Sequence, residues 1–409
     1  MNSNWHIQNA SIPGKDGRWS ISISNGLIAH VSPDGGESFE DESCVIFDAQ
    51  GRLVSTGFVD PHVHLDKVLT QERSVNSGVP SDLETSIRAV RLLKQAFTVE
   101  DVAQRAQRAL SLGLAHGTTT ARTHCEVDRY VEQRAVQGVL SAATAMHGRV
   151  DLQVIAFPQE GWFETPGSIE DGAGPYVEAA IHSGIKIVGG NINACLWPSD
   201  PQRQVDETFA LAKKYNCDID YHLDNWDGKD AFTLPYVAEK TISQGWQGRV
   251  AVSHIASLSH VSHATAAQTM DRMVEADIQV CVLPTRIRLT RVLELMEAGV
   301  NVSCGTDNMQ DPFVRFGDAD PLKAMLLLAQ LTNQLNDKAL ERIWLTMTQN
   351  SARMLRLPNY GFRPGDVADL VVFDAYSAPQ AILLQASKLA VIKNGVQVYG
   401  PLEVGPAHR

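Results

Sequence analysis

From residue 57 to about residue 359 the chain repeats one pattern, a short apolar run followed by a longer polar segment whose apolar positions recur at helical spacing. The runs at 151–157, 185–188, 217–222, 249–254, 278–283 and 300–305 predict strands, and the stretches at 99–112, 207–215, 234–244 and 290–298 predict helices. Strand and helix alternating over this length predict parallel βα units. Their number favours a closed (β/α)8 TIM-type barrel, with an open doubly wound sheet as the alternative, because no feature of the sequence forces closure. No GxGxxG follows a strand and no Walker loop is present, so a nucleotide site is not expected.

The two ends of the chain differ from this middle. Residues 5–8, 19–24, 27–31 and 45–48 alternate apolar and polar and are separated by turn residues such as Asn25-Gly26. Residues 369–374 and 389–398 repeat the style, with Asn394-Gly395 as a turn. Both ends predict β-structure.

Composition narrows the partners. The 409 residues are 44% hydrophobic and 20% charged, ordinary for a globular chain able to bury a large core. A net charge of -12 with no run of Lys and Arg argues against nucleic acid or an anionic membrane and for a small-molecule partner. The six cysteines form no CxxC pair and read as reduced core residues. The N-terminus lacks the basic start and apolar core of a signal peptide, and no apolar run approaches a membrane span, so a cytoplasmic location is expected.

The sharpest chemical signal is Gly57-Phe58-Val59-Asp60-Pro61-His62-Val63-His64, an apolar strand ending in His-x-His. Alternate strand residues share a face, so both imidazoles can address one ion. His222 and His254 end two further predicted strands, and Asp307 follows a third. Any one of these alone reads more readily as a satisfied core histidine or a helix-capping aspartate. Together they sit at the barrel edge where active sites are assembled. Three imidazoles, one carboxylate and a position left for water make a catalytic type of metal site, whereas structural zinc sites are closed and rich in thiolates.

The order His62-x-His64, His222, His254, Asp307, between β-forming ends, resembles the amidohydrolase superfamily. Ala121-Arg122-Thr123-His124, Ala156-Phe157-Pro158-Gln159-Glu160-Gly161 and Asp220-Tyr221-His222 are similar to its cytosine deaminase and N-isopropylammelide amidohydrolase branch. Ile392-Lys393-Asn394-Gly395 and Ala368-Asp369-Leu370-Val371-Val372 resemble segments of its small β-domain. The resemblance implies a β-sandwich built from residues 1–56 and 360–409 around a barrel of residues 57–359. It further implies one divalent ion held by His62, His64, His222 and Asp307, with His254 outside the first ligand shell, against the substrate or attacking oxygen. Zinc is the default, and iron(II) or manganese suit the same donors. Lys186 is the single candidate for the carboxylated lysine of two-metal members.

On this reading Asp307 binds the metal and takes the proton of the attacking water, while Gln159 and Lys67 contact the substrate. Trp162, Trp197 and Trp226 fall on loops after strands, where they could cover a flat ring or simply pack. His124 and Asn308 are expected behind the site, Asn308 where cytosine deaminase has an aspartate. Where that enzyme carries a proton-shuttling glutamate, this chain has Asn225, and an amide cannot titrate near neutrality. Asp224 is the candidate replacement acid, and cytosine is not the expected substrate. The expected reaction is hydrolytic removal of an amino or alkylamino group from a nitrogen heterocycle such as an aminopyrimidine or aminotriazine. Opening of a cyclic amide or imide is the alternative enzyme, and a noncatalytic interaction barrel the alternative of another class. A homo-oligomer is compatible with the sequence.

Overall fold

The computed structural model describes residues 4–35, 44–73, 83–163, 172–193, 200–225, 232–284 and 289–400. Eight parallel strands form one sheet in chain order: β1 (Phe58–Val63), β2 (Thr118–Glu126), β3 (Asp151–Phe157), β4 (Ile187–Asn191), β5 (Asp218–Leu223), β6 (Val250–His254), β7 (Gln279–Val282) and β8 (Asn301–Cys304). An isolated parallel bridge between Val63 and Asp307 joins the first strand to the chain just beyond the last. That bridge closes the barrel and sets aside the open sheet.

Most strand residues are buried, as parallel strands covered on both faces must be. Three of the helices between them begin at a side chain that satisfies free amides of the first turn. Thr98 caps Val99–Ala115, Asp200 caps Pro201–Tyr215 and Ser262 caps His263–Glu275. The expected helix at 207–215 therefore starts six residues early, at Pro201 after its aspartate cap.

Strand β2 carries no apolar run, since Thr118–Glu126 reads TTTARTHCE, yet all nine residues are buried. Thr123, Arg122, His124 and Glu126 find partners inside the fold, so hydrophobicity does not reveal the strand. Strand β4 starts two residues later than expected and runs through Gly189-Gly190. A Cβ on Gly189 would lie 2.0 Å from the carbonyl oxygen of Asp220, so only glycine allows β4 this close to β5.

The N-terminal strands Trp5–Ala10, Trp19–Ser24, Leu27–Pro33 and Val45–Asp48 form one four-stranded sheet. A second joins Val54–Thr56 to Leu370–Phe373, Lys388–Lys393 and Val396–Tyr399. Ile7, Ile21 and Ile23 of the first pack with Val54, Leu370, Val372 and Ile392 of the second in a core distinct from that of the barrel. The five described cysteines are buried. Among the described residues no helix is long and apolar enough to cross a membrane.

Candidate metal and substrate site

The C-terminal ends of the barrel strands bring the histidines together. His62 and His64 close β1, His222 lies near the end of β5, and their ring nitrogens converge as a buried group able to hold a metal ion. Nε2 of His64 lies 3.4 Å from Nε2 of His62 and 3.2 Å from Nε2 of His222. Oδ1 of Asp307 lies 3.5 Å from Nε2 of both His62 and His64. A single proton on His64 could serve only one of these neighbours, which leaves other lone pairs facing each other. A cation removes the conflict. Bonds of about 2.1 Å to a tetrahedral zinc imply ligand-to-ligand edges of about 3.4 Å, which is the spacing found here.

The electrostatics agree with neutral ligands. Burial, reinforced by His124, His62, His254 and His64, holds His222 well below the ordinary imidazole range. Nδ1 of His62 is 2.9 Å from the hydroxyl of Ser253, the kind of contact that fixes a ligand's ring. Gly305 permits the approach of the last strand, since a Cβ there would meet the Cβ of His62 at 2.8 Å. Asp60 ties the same two segments. It accepts from the amides of His62 and Thr306 at 3.3 and 3.2 Å and from the Thr306 hydroxyl at 2.5 Å. Burial pushes its carboxyl up to about 6 despite these bonds.

Several strand ends adopt the left-handed conformation, with φ of 48° at Asp224, 73° at His254, 42° at Ile255 and 64° at Asp307. A β-branched residue there is strained, and such strain clusters at functional sites. The His254 ring stands beside the convergent nitrogens, its centroid 4.8 Å from that of His222 and 5.6 Å from that of His62. His124 lies against them, its centroid 4.1 Å from His62, and its Nε2 is 3.3 Å from Asp220. Burial alone would raise Asp220, but His124 and Arg122 outweigh it and hold the carboxyl below its usual range.

Lys67 lies in the turn that follows β1 but is not exposed. It is fully buried behind His64, with Nζ 3.2 Å from Nδ1 of that ring and 2.8 Å from Oε1 of Glu126. The other oxygen of Glu126 meets Nζ of Lys94 at 2.6 Å, and Lys94 also pairs with Asp128 and with Glu160 at 3.1 Å. Arg91 completes the run on Glu160. Burial disfavours the Lys67 ammonium, yet Asp66 and Glu126 raise it overall, while Lys67 and Lys94 overcome burial to hold Glu126 at about 2.

The remaining expectations divide. Asp224 requires a correction. Its carboxylate accepts from the amides of Thr233 at 3.0 and 3.1 Å and of Leu234 at 2.9 Å, at the start of the helix Leu234–Gln244. A carboxylate committed to two backbone amides at a helix start acts as a cap, not as a proton donor. Asn225 stands at the end of β5, and its Nδ2 donates to Oδ1 of Asn191 at 3.4 Å. Gln159 is buried on the loop after β3. The Asn308 amide is taken by Asp311 at 2.7 Å. Trp162 is buried with its indole donating to the Gly189 carbonyl at 3.2 Å, a packing role. Trp197 and Trp226 lie outside the described residues. Lys186 is exposed at the base of β4, away from the histidines.

Sequence reasoning missed Asp60, Ser253, Glu126, Lys94 and Asn191. Asp60 and Ser253 each had a signal, standing one or two residues from a histidine already singled out.

Residues 176–399 match the Amidohydrolase family. The N-isopropylammelide isopropyl amidohydrolase of Pseudomonas sp. (strain ADP) is 31% identical over 396 residues, covering 95% of each chain. The 5-methylcytosine deaminase of Klebsiella pneumoniae, solved with 5-fluorocytosine, superposes with a TM-score of 0.88 at 27% identity over 99% of both chains. The N-isopropylammelide isopropylaminohydrolase of Burkholderia multivorans gives a TM-score of 0.88 at 27% identity, over 98% of this chain and 100% of that one. With that barrel and these matches, the chain belongs to the amidohydrolase family, as a hydrolase of carbon–nitrogen bonds.

Proposed function

We propose that the protein is a metal-dependent aminohydrolase that removes an amino or alkylamino group from a small nitrogen heterocycle. The observation that carries this reading is the set of spacings among His62, His64, His222 and Asp307, from 3.2 to 3.5 Å, at the top of the barrel. These four side chains would hold one divalent ion, with zinc the default. Such an ion lowers the pKa of water toward neutrality and polarises the bond under attack.

This chain's own groups then handle the protons. Asp307 accepts one from the attacking water and returns it to the departing nitrogen, so that the carbon–nitrogen bond breaks as the ring carbon keeps the water's oxygen. His254, at the rim, hydrogen-bonds that oxygen. Ser253 keeps the His62 ring in place, and the buried ion-pair run from Lys67 to Arg91 braces His64 from behind. Gln159 offers an amide to the lactam-like edge of the ring, and Asn225 offers a second amide to the substrate.

The relatives support this substrate class, since their names specify N-isopropylammelide and 5-methylcytosine. Asn225 argues against cytosine as the best substrate, because its amide cannot shuttle a proton to a ring nitrogen. The test is a screen of metal-loaded protein against aminopyrimidines, aminotriazines and cyclic ureas, with separate detection of released amine and of ring-opened product. Amine release with the ring intact is expected. Ring opening, or inertness towards every nitrogen heterocycle, would overturn the reading.

A further inference from the structure

We propose that Asn191 and Asn225 form an amide pair that selects substrates carrying an N–H on the leaving group; the inference rests on the aminohydrolase reading above. Asn191 ends β4 in register with His222 of β5. Registered neighbours of a parallel pair project from the same face, so Asn191 points into the barrel beside a candidate metal ligand. It is 1% exposed.

Asn225 follows His222 by three residues and donates through Nδ2 to Oδ1 of Asn191. That bond turns Oδ1 of Asn225 away from Asn191, and this buried oxygen has no hydrogen-bond partner among the described residues. A buried acceptor without a donor is costly, and a ligand N–H placed there removes the cost.

The pair is rigidly mounted. The amide of Asp224 donates to Oδ1 of Asn193 at 2.8 Å, and Nδ2 of Asn193 donates to the Thr233 hydroxyl at 3.0 Å. Thr233 in turn donates its amide to the Asp224 carboxylate. The loops after β4 and β5 are thus pinned one residue from Asn225 and two from Asn191.

The leaving nitrogen gains a proton as the bond to the ring breaks, which makes its N–H a stronger donor in the transition state than in the bound substrate. An acceptor aimed at it therefore acts mainly on kcat. Asn225 is the substrate contact and Asn191 the positioning residue. Amino and monoalkylamino groups are accepted; alkoxy groups of the same shape are discriminated against.

The experiment compares metal-loaded wild type, Asn191→Leu and Asn191→Asp on two matched pairs, N-isopropylammelide with its O-isopropyl isostere and N4-methylcytosine with its 4-methoxy isostere. For the better amine, Asn191→Leu is expected to lower kcat by about 10- to 100-fold with little change in KM, and to shrink the N-over-O preference by the same factor. Asn191→Asp keeps the acceptor for Asn225 and should stay within about threefold of wild type. An unchanged preference in Asn191→Leu, or an equal loss in Asn191→Asp, would overturn the inference while leaving the aminohydrolase reading intact. If Asn191→Leu does not fold, Asn225→Ala must show the same loss of preference or the inference fails. Wild type inert on both amines and on every amine of the screen above would remove the reading and the inference together.

Discussion

The backbone amide of Asp307 donates to the carbonyl of His62 at 2.9 Å, so two candidate metal ligands share a hydrogen bond across the seam that closes the barrel. The strand that begins the barrel and the loop that ends it are joined at the level of the chemistry. A metal held by both side chains clamps the first and last βα units together, and its binding free energy adds directly to that of the folded state. Dialysis against a chelator should therefore lower the thermal midpoint, and one equivalent of divalent ion should restore it. An unchanged midpoint would mean that no ion bridges this seam.

Metal stoichiometry follows from the donor set. Four side chains converge and Lys186 is exposed elsewhere, so elemental analysis should find about one divalent ion per chain. His222→Ala should reduce that content severely. Two tightly held ions would show that a bridging ligand has been overlooked.

Asp307 and Asp224 should behave oppositely. Asp307→Asn keeps the three imidazoles and loses the proton carrier, so kcat should fall by about 10²- to 10⁴-fold while much of the metal is retained. Asp224→Ala should instead lower stability, by about 0.5–2 kcal/mol for a lost helix cap or more because the site is buried. In Asp224→Asn, whose carbonyl oxygen can still accept, activity should stay within about tenfold of wild type. A loss of turnover in Asp224→Asn as large as that in Asp307→Asn, with metal and fold intact, would return Asp224 to the chemistry.

These contrasts mark what the sequence discloses. Strands β5, β6, β7 and β8 lie within one residue of their expected limits at every end, because Val, Ile and Cys crowd them; β5 and β6 carry His222 and His254, and Asp307 follows β8. Strand β2 escapes because Thr, Arg, His and Glu are buried against one another. Asp224 looked like a free acid because the amides it caps come nine and ten residues later. The Lys67–Glu126–Lys94 contacts join residues 59 and 32 positions apart, and only the fold brings them together.

Glu126 offers a test of that buried charge run. Its carboxyl is held near 2, below its ordinary 4.5, so its contribution is present above pH 4.5 and is lost as pH falls through about 2. Glu126→Gln leaves two buried ammonium groups short of a partner and should cost about 3–5 kcal/mol at pH 7. The gap between variant and wild type should narrow below pH 4.5. Urea titrations at pH 7 and at pH 3.5 measure both effects. Equal stability at pH 7 would contradict the ion-pair account.

Asn225→Glu restores the side chain that cytosine deaminase uses as its proton shuttle. Any cytosine activity should rise, by up to about 10²-fold, while turnover of the best alkylamino substrate falls. Efficient cytosine deamination by the unaltered protein would remove the argument from Asn225.

The most direct test of the central claim is to strip the protein of metal, restore it with zinc in steps, and follow release of amine from the best substrate of the screen together with the intact-ring product by mass spectrometry. The account predicts no release by the stripped protein and activity that rises linearly to a plateau at one ion per chain. Release that ignores the chelator, or products with an opened ring, would contradict it.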